Sequence, residues 1–403
     1  MYAKEMIRDT KYWTIQQVNE ASTAISEAAQ ILAAGGTVAF PTETVYGLGA
    51  DARNTEAVEQ IFAAKGRPSD NPLIVHIAKL DQLDAFVLPY SETARRLMDR
   101  FWPGPLTIVL PVRPDAISPK VTAGLTTVGM RMPDHEVALR LIAASGCPIA
   151  APSANRSGRP SPTLASHVRE DLAGRIDGIV DGGPTGVGLE STVIELIGDR
   201  VNVLRPGGIT VEELREVVAE VTLDPALTHT TDIAPSDAII PATDADLQLN
   251  DVNSSTSDDG LPAASRRAAH VSIKDAASLA PRSPGMKYAH YAPRGIMRIV
   301  KGDAPEQVTA WIQAELEQAK RRGERSGVLA FDEHIGAYRA DVVVSCGSLH
   351  ALEGAAHRLY AALRAFDEQG ITFILAEACP EEGMGLAVMN RLVKAAGHRI
   401  VQL

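Results

Sequence analysis

The sequence predicts a two-domain α/β protein whose domains are joined by an acidic linker. Apolar strand-like runs alternate with helical patterns from about residue 22 to 220, and the alternation returns at about residue 297. Between the two domains, residues 228–262 hold seven aspartates and no Lys or Arg. Alternation of this kind is typical of α/β folds, and the short connections between some neighbouring strands favour a mixed sheet in the first domain.

Helices in the first domain are predicted from the helical spacing of apolar residues, from N-cap residues and from glycine stops. Gly35 and Gly36 end the first helix, Ser91 caps the third and Gly146 stops the fourth. The predicted helices are residues 22–34, 55–64, 91–102 and 134–145. The predicted strands are the short apolar runs at residues 37–40, 73–77, 107–110, 128–132, 148–151, 179–180, 192–196 and 201–204.

The second domain is predicted to be a small Rossmann-like sheet in which strands and helices alternate. Its strands are residues 297–300, 327–331, 342–345 and 371–376, and its helices are residues 305–320, 349–366 and 386–396. No GxGxxG follows the first strand, so a dinucleotide site is not indicated. The acidic segment buries too little apolar surface to offset the entropy of ordering it; the alternative is an ordered surface loop. The predicted boundaries are therefore 15–221, 222–296 and 297–403.

Composition limits the class of protein. The chain has 403 residues and a formal net charge of -11, and it is 45% hydrophobic and 22% charged, which is ordinary for a soluble globular protein. The negative charge would repel nucleic acid, so we expect any RNA contact to be local, weak or through a partner. Three cysteines without a CxxC pair favour a reducing cytoplasm. The N-terminus lacks a signal-peptide core, and no apolar run reaches membrane-spanning length.

The most informative motif is PTETVYGLG, residues 41–49, which is followed by KGRPSDNPL at residues 65–73. The first motif predicts a strand that ends in a polar, tightly turned loop, where Thr44 can hydrogen-bond a small ligand. The second places Lys65 and Arg67 beside Asn71 on a proline-stiffened loop, which suits an anion such as phosphate. The alternatives are a plain turn for the first motif and a complement to the helix dipole for Lys65.

Two arginines and one histidine lie in or just after apolar strands. Arg131 follows Thr127 in a mostly apolar strand and needs a partner, either a substrate carboxylate or a structural Asp or Glu. Arg205 follows a later strand and can reach an anion. His76 lies in an apolar run, where a core histidine is the usual interpretation.

Two loops rich in small residues complete the set of candidates. APSANRSGRPSPT, residues 151–163, carries Ser153 and Ser161, and such groups can line a phosphate or ribose pocket. DGGPTGVGLEST, residues 181–192, delivers Ser191 to the start of a strand. A low-complexity loop and a simple turn are the alternatives, so each motif is weak alone.

Taken together, these segments resemble the threonylcarbamoyl-AMP synthases of the YrdC-like family, in their long two-domain form. The resemblance covers residues 15–220 and resumes at SPGMKYAHYAP, residues 283–293, which is similar to that family's linker motif. The remaining C-terminal residues resemble the smaller domain of the long form. The resemblance implies a YrdC-like twisted mixed sheet followed by a smaller Rossmann-like domain.

The resemblance also implies an activity, that of an L-threonylcarbamoyladenylate synthase. This nucleotidyltransferase would convert L-threonine, bicarbonate and ATP to L-threonylcarbamoyl-AMP and pyrophosphate. The product would pass to the transfer machinery that makes threonylcarbamoyladenosine (t6A) in tRNA. Mg²⁺ is expected to arrive with ATP rather than in a dedicated protein site, and no tightly bound organic cofactor is expected.

Site residues are carried over from the resemblance position by position. Those assigned to L-threonine are Thr44, His76, Arg131, Ala151 and Ser191. Those assigned to ATP are Arg67, Asn71, Thr127, Ser153, Ser161 and Arg205. Lys65 lies near both substrates, and we expect Lys65 and Arg67 to be catalytic, because positioning and charge neutralisation suffice without a covalent intermediate.

The linker motif carries Lys287, Tyr288, His290 and Tyr291 between prolines. Aromatic and cationic side chains are not typical of flexible spacers. We therefore expect this segment to be a lid over the cleft, with an inert spacer as the alternative.

Three other functions compete with the synthase. A YrdC-like surface that binds RNA without chemistry would need a basic face and a steep salt dependence. Hydrogenase-maturation relatives of the same fold transfer a carbamoyl group differently, but they need zinc-finger and acylphosphatase segments that are missing from this sequence. A regulatory protein whose second domain binds a partner is compatible with the sequence as an added role.

Overall fold

The computed structural model describes residues 8–15, 22–228 and 290–403. Most of the predicted acidic linker, residues 222–296, lies outside the described residues. The described chain forms two sheets, which we call the N-terminal region (residues up to 228) and the C-terminal region (residues from 290).

The N-terminal region is built on an eleven-stranded sheet. Its strands are β1 (Lys11–Thr14), β2 (Val38–Phe40), β3 (Gly47–Asp51), β4 (Ile74–His76), β5 (Leu106–Pro111), β6 (Thr127–Arg131), β7 (Ile149–Ala150), β8 (Gly178–Asp181), β9 (Thr192–Ile197), β10 (Arg200–Arg205) and β11 (Val221–Leu223). The strand order is β1-β8-β2-β3-β7-β4-β6-β5-β9-β10-β11. The sheet contains parallel pairs such as β4 with β6 and antiparallel pairs such as β5 with β6, so the mixed sheet is confirmed.

Helices pack on this sheet and begin and end at the residues that favour caps. They are α1 (Ser22–Ala33), α2 (Thr55–Lys65), α3 (Glu92–Phe101), α4 (Pro119–Thr122), α5 (Glu136–Ser145), α6 (Ala165–Leu172), α7 (Val211–Arg215) and α8 (Pro225–Thr228). The Asn54 side chain accepts a hydrogen bond from the Ala57 amide at the start of α2, and Gly66 ends that helix at a φ of 62°. This ending fixes Lys65 at the last turn of α2.

The C-terminal region is a five-stranded parallel sheet, as a Rossmann-like domain requires. Its strands are β12 (Ile296–Lys301), β13 (Ser326–Ala330), β14 (Val342–Ser345), β15 (Phe373–Glu377) and β16 (Ile400–Gln402), in the order β14-β13-β15-β12-β16. Its helices are α9 (Pro305–Arg321), α10 (Leu352–Glu368) and α11 (Met384–Ala395). The predicted fold class is confirmed for both regions.

The glycines of PTETVYGLG correct one prediction. The sequence predicts a tightly turned loop from Pro41 through Gly49, but Gly47 to Asp51 form the buried strand β3. A Cβ at Gly49 would lie 2.7 Å from the Phe40 ring and 2.7 Å from the Ile149 side chain. These glycines therefore allow close packing inside the sheet rather than a turn.

The two regions share a buried interface. Val45 and Leu189 of the N-terminal region belong to the same hydrophobic cluster as Leu359 and Leu392 of the C-terminal region. The Gly188 backbone lies directly against α10: its φ is +83°, and a Cβ there would lie 2.6 Å from the Ala356 carbonyl oxygen. Only glycine combines this backbone conformation with so close a neighbour.

We expect Gly188→Ala to destabilise the protein more than Gly183→Ala does. Gly183 has a similar φ of +87°, but a Cβ placed on it would meet nothing within 4 Å. Both substitutions incur left-handed backbone strain of about 1–2 kcal/mol. Only Gly188→Ala adds a clash with α10, which typically costs about 1–3 kcal/mol more. Urea unfolding measures the difference, and equal losses for the two variants would contradict the tight contact.

Candidate functional site

An open cleft lies where several strand and helix ends of the N-terminal region meet the start of the C-terminal region; its volume is about 740 Å³ with the solvent-filled mouth included and about 60 Å³ without it. Side chains reach it from the end of α2, from β4, β6 and β10, and from the loops that follow β2 and β7 and precede β9. Most residues that the sequence nominated line this one cleft: Thr44, Lys65, Arg67, His76, Arg131, Ala151, Ser153, Ser191, Arg205, His290 and Tyr291.

Thr44 and Arg131 form one end of the cleft. The Thr42 hydroxyl bonds the Thr44 hydroxyl at 2.8 Å and donates to the Val45 carbonyl oxygen at 2.7 Å, which fixes the turn. Arg131 donates from Nη1 to the Thr44 hydroxyl at 3.0 Å, and its Nη2 lies 2.5 Å from Glu43 Oε1. Glu43 is therefore the acidic partner that buried Arg131 needs, one of the two alternatives that the sequence left open.

Lys65 is a buried cation held by backbone carbonyls. Its Nζ donates to the carbonyl oxygens of Ser153 and Asn155, each at 2.5 Å, and only 3% of the residue is exposed. Burial and the neighbouring Arg67 guanidinium lower the pKa of Lys65 well below its ordinary value. An ammonium has three donors: two short bonds to carbonyls orient it, and its third contact, to Asn155 Oδ1, is long at 3.5 Å, so one donor can turn to an anion.

His76 is neutral and packed in the floor of the cleft. It lies on β4, is 4% exposed and meets the Phe40 ring edge-on at 6.3 Å between ring centroids. Burial, followed by the nearby Arg131 charge, lowers the pKa of His76 to about 3. Its Nδ1 atom has no hydrogen-bond partner among the described residues. The ring can therefore act as a neutral polar group toward a ligand but not as a cation.

Ser191 and Arg205 are joined at the start of β9 and the end of β10. Arg205 Nη2 donates to the Ser191 carbonyl oxygen at 2.9 Å and to its hydroxyl at 3.2 Å. The same hydroxyl lies 2.7 Å from the Thr107 hydroxyl. Burial lowers the pKa of Arg205, and the neighbouring Arg391 lowers it further. This arrangement places a fixed cation beside a hydroxyl.

Sequence reasoning missed several lining residues, chiefly Glu190. Its carboxylate accepts hydrogen bonds from Ser161 at 2.6 Å, from the Tyr360 hydroxyl at 2.8 Å and from Arg391 Nε at 2.9 Å. Burial alone would raise its pKa, but Arg391 and then Arg205 lower the pKa of Glu190 to about 2. Thr42, Asn155 and Ser157 also line the cleft; they belong to the loops that the sequence nominated, but they were not assigned to a substrate. The sequence offered one indication of Glu190: it precedes Ser191 and is the acidic residue in the second half of the loop at residues 181–192.

Three nominated residues do not line the cleft. Ser161 lies behind it and reaches it through Glu190, and Thr127 lines a narrow neighbouring cavity of about 10 Å³ together with Pro72 and Leu73. Asn71 is fully buried, and neither its Oδ1 nor its Nδ2 has a hydrogen-bond partner among the described residues. Because Pro72 and Leu73 line both cavities, Asn71 stands next to the wall that separates them.

The predicted lid is described only in part. Lys287 and Tyr288 lie outside the described residues, whereas His290 and Tyr291 line the cleft. The Tyr291 ring is buried and stacks on Tyr360 at 5.1 Å between centroids. Burial and then the Arg67 charge lower the pKa of His290 to about 3. These two side chains form a packed wall of the cleft.

In the described parts of the chain, no three His, Cys, Asp or Glu side chains converge in a way that could hold a metal ion. No helix in those parts is both long and apolar enough to cross a membrane.

Comparison with known proteins identifies matches over nearly the whole chain. A model for the Sua5/YciO/YrdC proteins, described as Telomere recombination, matches residues 30–207, and a model described as the C-terminal domain of threonylcarbamoyl-AMP synthase matches residues 209–397. The chain is 49% identical to the threonylcarbamoyl-AMP synthase of Bacillus subtilis, over 98% of this chain and 99% of that protein. It is 39% identical to the Schizosaccharomyces pombe protein of the same name, over 94% and 89% of the two chains.

A solved structure resembles this chain over the same extent. The crystal structure of Pyrococcus abyssi Sua5 complexed with L-threonine is 40% identical in sequence and superposes with a TM-score of 0.79. The similarity covers 98% of this chain and 99% of that one, so it includes both regions.

We expect His76→Gln to reduce the acid sensitivity of folding. The pKa of His76 is about 3 in the folded chain against an ordinary value of 6.5, so only the unfolded chain takes up this proton between those pH values. The free energy of unfolding of the wild-type protein therefore falls by about 1.4 kcal/mol per pH unit below about pH 6.5 because of this group. The variant, which lacks the imidazole, does not have this loss. Urea unfolding between about pH 7.5 and about pH 5 measures the difference.

The exposed His350 provides the control for this measurement. His350→Gln should follow the wild-type pH dependence, because its imidazole faces solvent in both states. Identical pH slopes for His76→Gln and the wild-type protein would contradict the neutral, buried state of His76.

Proposed function

The chain belongs to the threonylcarbamoyl-AMP synthase family, and we propose that it converts L-threonine, bicarbonate and ATP to L-threonylcarbamoyl-AMP and pyrophosphate. Membership rests on two family models that together match most of the chain and on relatives that align over nearly its whole length. The protein is accordingly an enzyme of the nucleotidyltransferase type. The sheet architecture, common to this chain and the P. abyssi protein, agrees with that assignment.

One observation carries the proposal: the cleft concentrates positive charge around small hydroxyl groups. Lys65, Arg67, Arg131 and Arg205 line it, and among its described lining residues Glu190 is the sole carboxylate. Arg391, from outside the lining, balances the charge of Glu190, so the cleft keeps an excess of cations for an incoming anion. Buried, preorganised cations of this kind suit a triphosphate.

We assign L-threonine to the end of the cleft that holds Thr44 and Arg131. The Arg131 guanidinium is fixed by Thr44 and Glu43, so it can present a remaining N–H face to the substrate carboxylate. The hydroxyl groups of Thr44 and Ser191 and the neutral His76 ring are polar, and Ala151 supplies a small apolar surface. Such a site can hydrogen-bond the threonine hydroxyl while its methyl group lies on an apolar wall.

The proposed reaction needs no covalent enzyme intermediate. The threonine amine adds to bicarbonate and loses water to give a carbamate, whose oxygen attacks the α-phosphorus of ATP in line as pyrophosphate leaves. We place Lys65 between the threonine and the ATP. The carbonyl oxygens of Ser153 and Asn155, in the loop after β7, hold its ammonium group in the cleft. We propose that Lys65 and Arg67 neutralise charge that develops on the α-phosphate, and that Arg205 steadies the phosphates.

Mg²⁺ enters this proposal as part of the MgATP substrate. The ion would be held mainly by phosphate oxygens and water, as is usual for nucleotide-bound magnesium. Ser153 and the Asn71 amide, which has no partner among the described residues, are proposed to contact the nucleotide, with Thr127 in the adjoining cavity. Ser161 would act through Glu190 rather than by direct contact.

We propose that the product passes to the t6A transfer machinery in the cytoplasm. A mixed carbamic–phosphoric anhydride is labile in water, so a partner that accepts it directly would limit its loss. The three free buried cysteines suit a reducing compartment. The formal net charge of -11 supports a tRNA contact that is weak or indirect.

We also propose that His290 and Tyr291 cover the nucleotide side of the cleft. Both side chains line it, and the Ala292 amide donates to the Gly158 carbonyl oxygen at 2.9 Å, which joins this segment to the loop after β7. Removal of residues 283–293 should therefore lower turnover and ATP affinity. Unchanged turnover and affinity in a folded deletion variant would rule out this role.

The proposed function is tested by pyrophosphate release from MgATP in the presence of bicarbonate and threonine, serine or valine. We expect release to require bicarbonate and to favour threonine. Serine lacks only the methyl group and should lose about 1–3 kcal/mol of transition-state binding, whereas valine leaves the hydroxyl partners unpaired and should be rejected strongly. Arg67→Ala should abolish most of the release, because the phosphates lose a fixed cation.

Arg95→Ala is the matched control for this experiment. Arg95 lies on α3, pairs with Asp99 on the surface and takes no part in the cleft. This variant should release pyrophosphate at the wild-type rate. Absence of release under all substrate conditions, in a wild-type protein that binds tRNA tightly, would favour the RNA-binding alternative.

A further inference from the structure

Glu190 connects the cleft to the C-terminal region. It lines the cleft beside Ser191, yet two of its hydrogen-bond donors come from the C-terminal helices: Tyr360 from α10 and Arg391 from α11. Neither donor is solvent exposed, at 0% each. A buried carboxylate that lost these donors would be left without compensation for its charge.

Arg391 also joins two loops that carry substrate-side residues. Its Nε binds Glu190, which precedes Ser191, and its Nη1 donates to the Pro206 carbonyl oxygen at 2.7 Å, directly after Arg205. These loops are in close contact, because a Cβ at Gly207 would collide with the Glu190 carbonyl oxygen. One guanidinium therefore fixes the spacing between the strand ends that present Ser191 and Arg205.

We propose that Arg391 and Tyr360 are positioning residues for the adenylylation reaction: they hold and neutralise Glu190, so that Ser191 keeps its place toward threonine and Ser161 and Arg205 keep theirs on the ATP side. This inference rests on the proposed function. It gives the C-terminal region a direct part in the site, although neither residue lines the cleft.

Charge explains why the pairing matters for ATP. With Arg391 present, Glu190 accepts hydrogen bonds from Ser161, Tyr360 and Arg391. The positive charge of Arg391 balances that of Glu190, so the pair adds little net charge to the cleft. Without Arg391, a carboxylate would face the phosphates, and Arg205, the remaining cation with the largest effect on the pKa of Glu190, would turn toward it. Both effects weaken phosphate binding.

The test compares Arg391→Met, Glu190→Gln and the double variant by calorimetric titration of the full chain with MgATP and by pyrophosphate release. Arg391→Met should weaken ATP binding by about tenfold or more, since one partner of a buried, hydrogen-bonded pair is removed. Adding Glu190→Gln should restore most of the affinity, because glutamine still accepts from Ser161 and carries no charge.

Tyr338→Phe is the matched control. Tyr338 is also a buried residue of the C-terminal region that donates its hydroxyl to a buried carboxylate, Glu377, but neither residue lines the cleft. It should lower thermal stability while leaving ATP affinity close to the wild-type value. Tyr360→Phe removes one hydroxyl alone and should give a smaller loss of affinity than Arg391→Met, even if the latter folds poorly.

The outcomes separate the inference from the proposed function. Unchanged ATP affinity in folded Arg391→Met and Tyr360→Phe, an equal loss in Tyr338→Phe, or no rescue by Glu190→Gln would each overturn the positioning role. Wild-type protein that binds ATP without threonine-dependent turnover would contradict the proposed function alone, and the titrations would still decide the positioning role. Wild-type protein that fails to bind ATP would overturn both.

Discussion

The buried charge of Glu190 is the constraint on which the arrangement of the two regions depends. A carboxylate inside a protein must be paired and hydrogen-bonded, and its donors here come from Ser161 in the N-terminal region and from Tyr360 and Arg391 in the C-terminal region. The two sheets therefore cannot separate without exposing or unpairing this group. Gly188 and the shared hydrophobic cluster bring the helices close enough for the pairing to form.

The cleft also concentrates cations that repel one another. Arg67 lowers the pKa of Lys65, and Arg391 lowers the pKa of Arg205, in both cases after the larger effect of burial. The fold offsets this cost with carbonyl oxygens at Lys65 and with the Ser191 carbonyl at Arg205. An anionic substrate would relieve the remaining repulsion, so the binding energy of the phosphates comes in part from strain already present in the folded chain.

The fold class and many site residues could be predicted because they depend on local patterns. Arg131 and Arg205 are cations next to apolar strands, and such residues need a partner wherever the strand lies. Glu190 was missed, since its main partner is 201 positions away and only its place beside Ser191 pointed to a role. Short β1 and β16 were missed because each is stabilised by pairing with a strand distant in sequence. Gly47 and Gly49 suggested a turn, because glycine serves turns and close strand packing alike.

Unpartnered polar atoms give a last, independent indication of where ligands bind. Among the described residues, Asn71 Oδ1 and Nδ2, His76 Nδ1 and His290 Nε2 are buried without a hydrogen-bond partner, and all lie in or next to the cleft. Each such atom costs stability, and a fold selected for stability alone would pair them or replace them with apolar groups. Other unpartnered atoms, such as Thr185 Oγ1 and Arg200 Nε, lie away from the cleft, so the indication comes from the position of these four atoms beside the cations, where substrate atoms can complete their hydrogen bonds. These unpartnered atoms thus lower the folding stability at the place where they raise the affinity for a polar, anionic ligand.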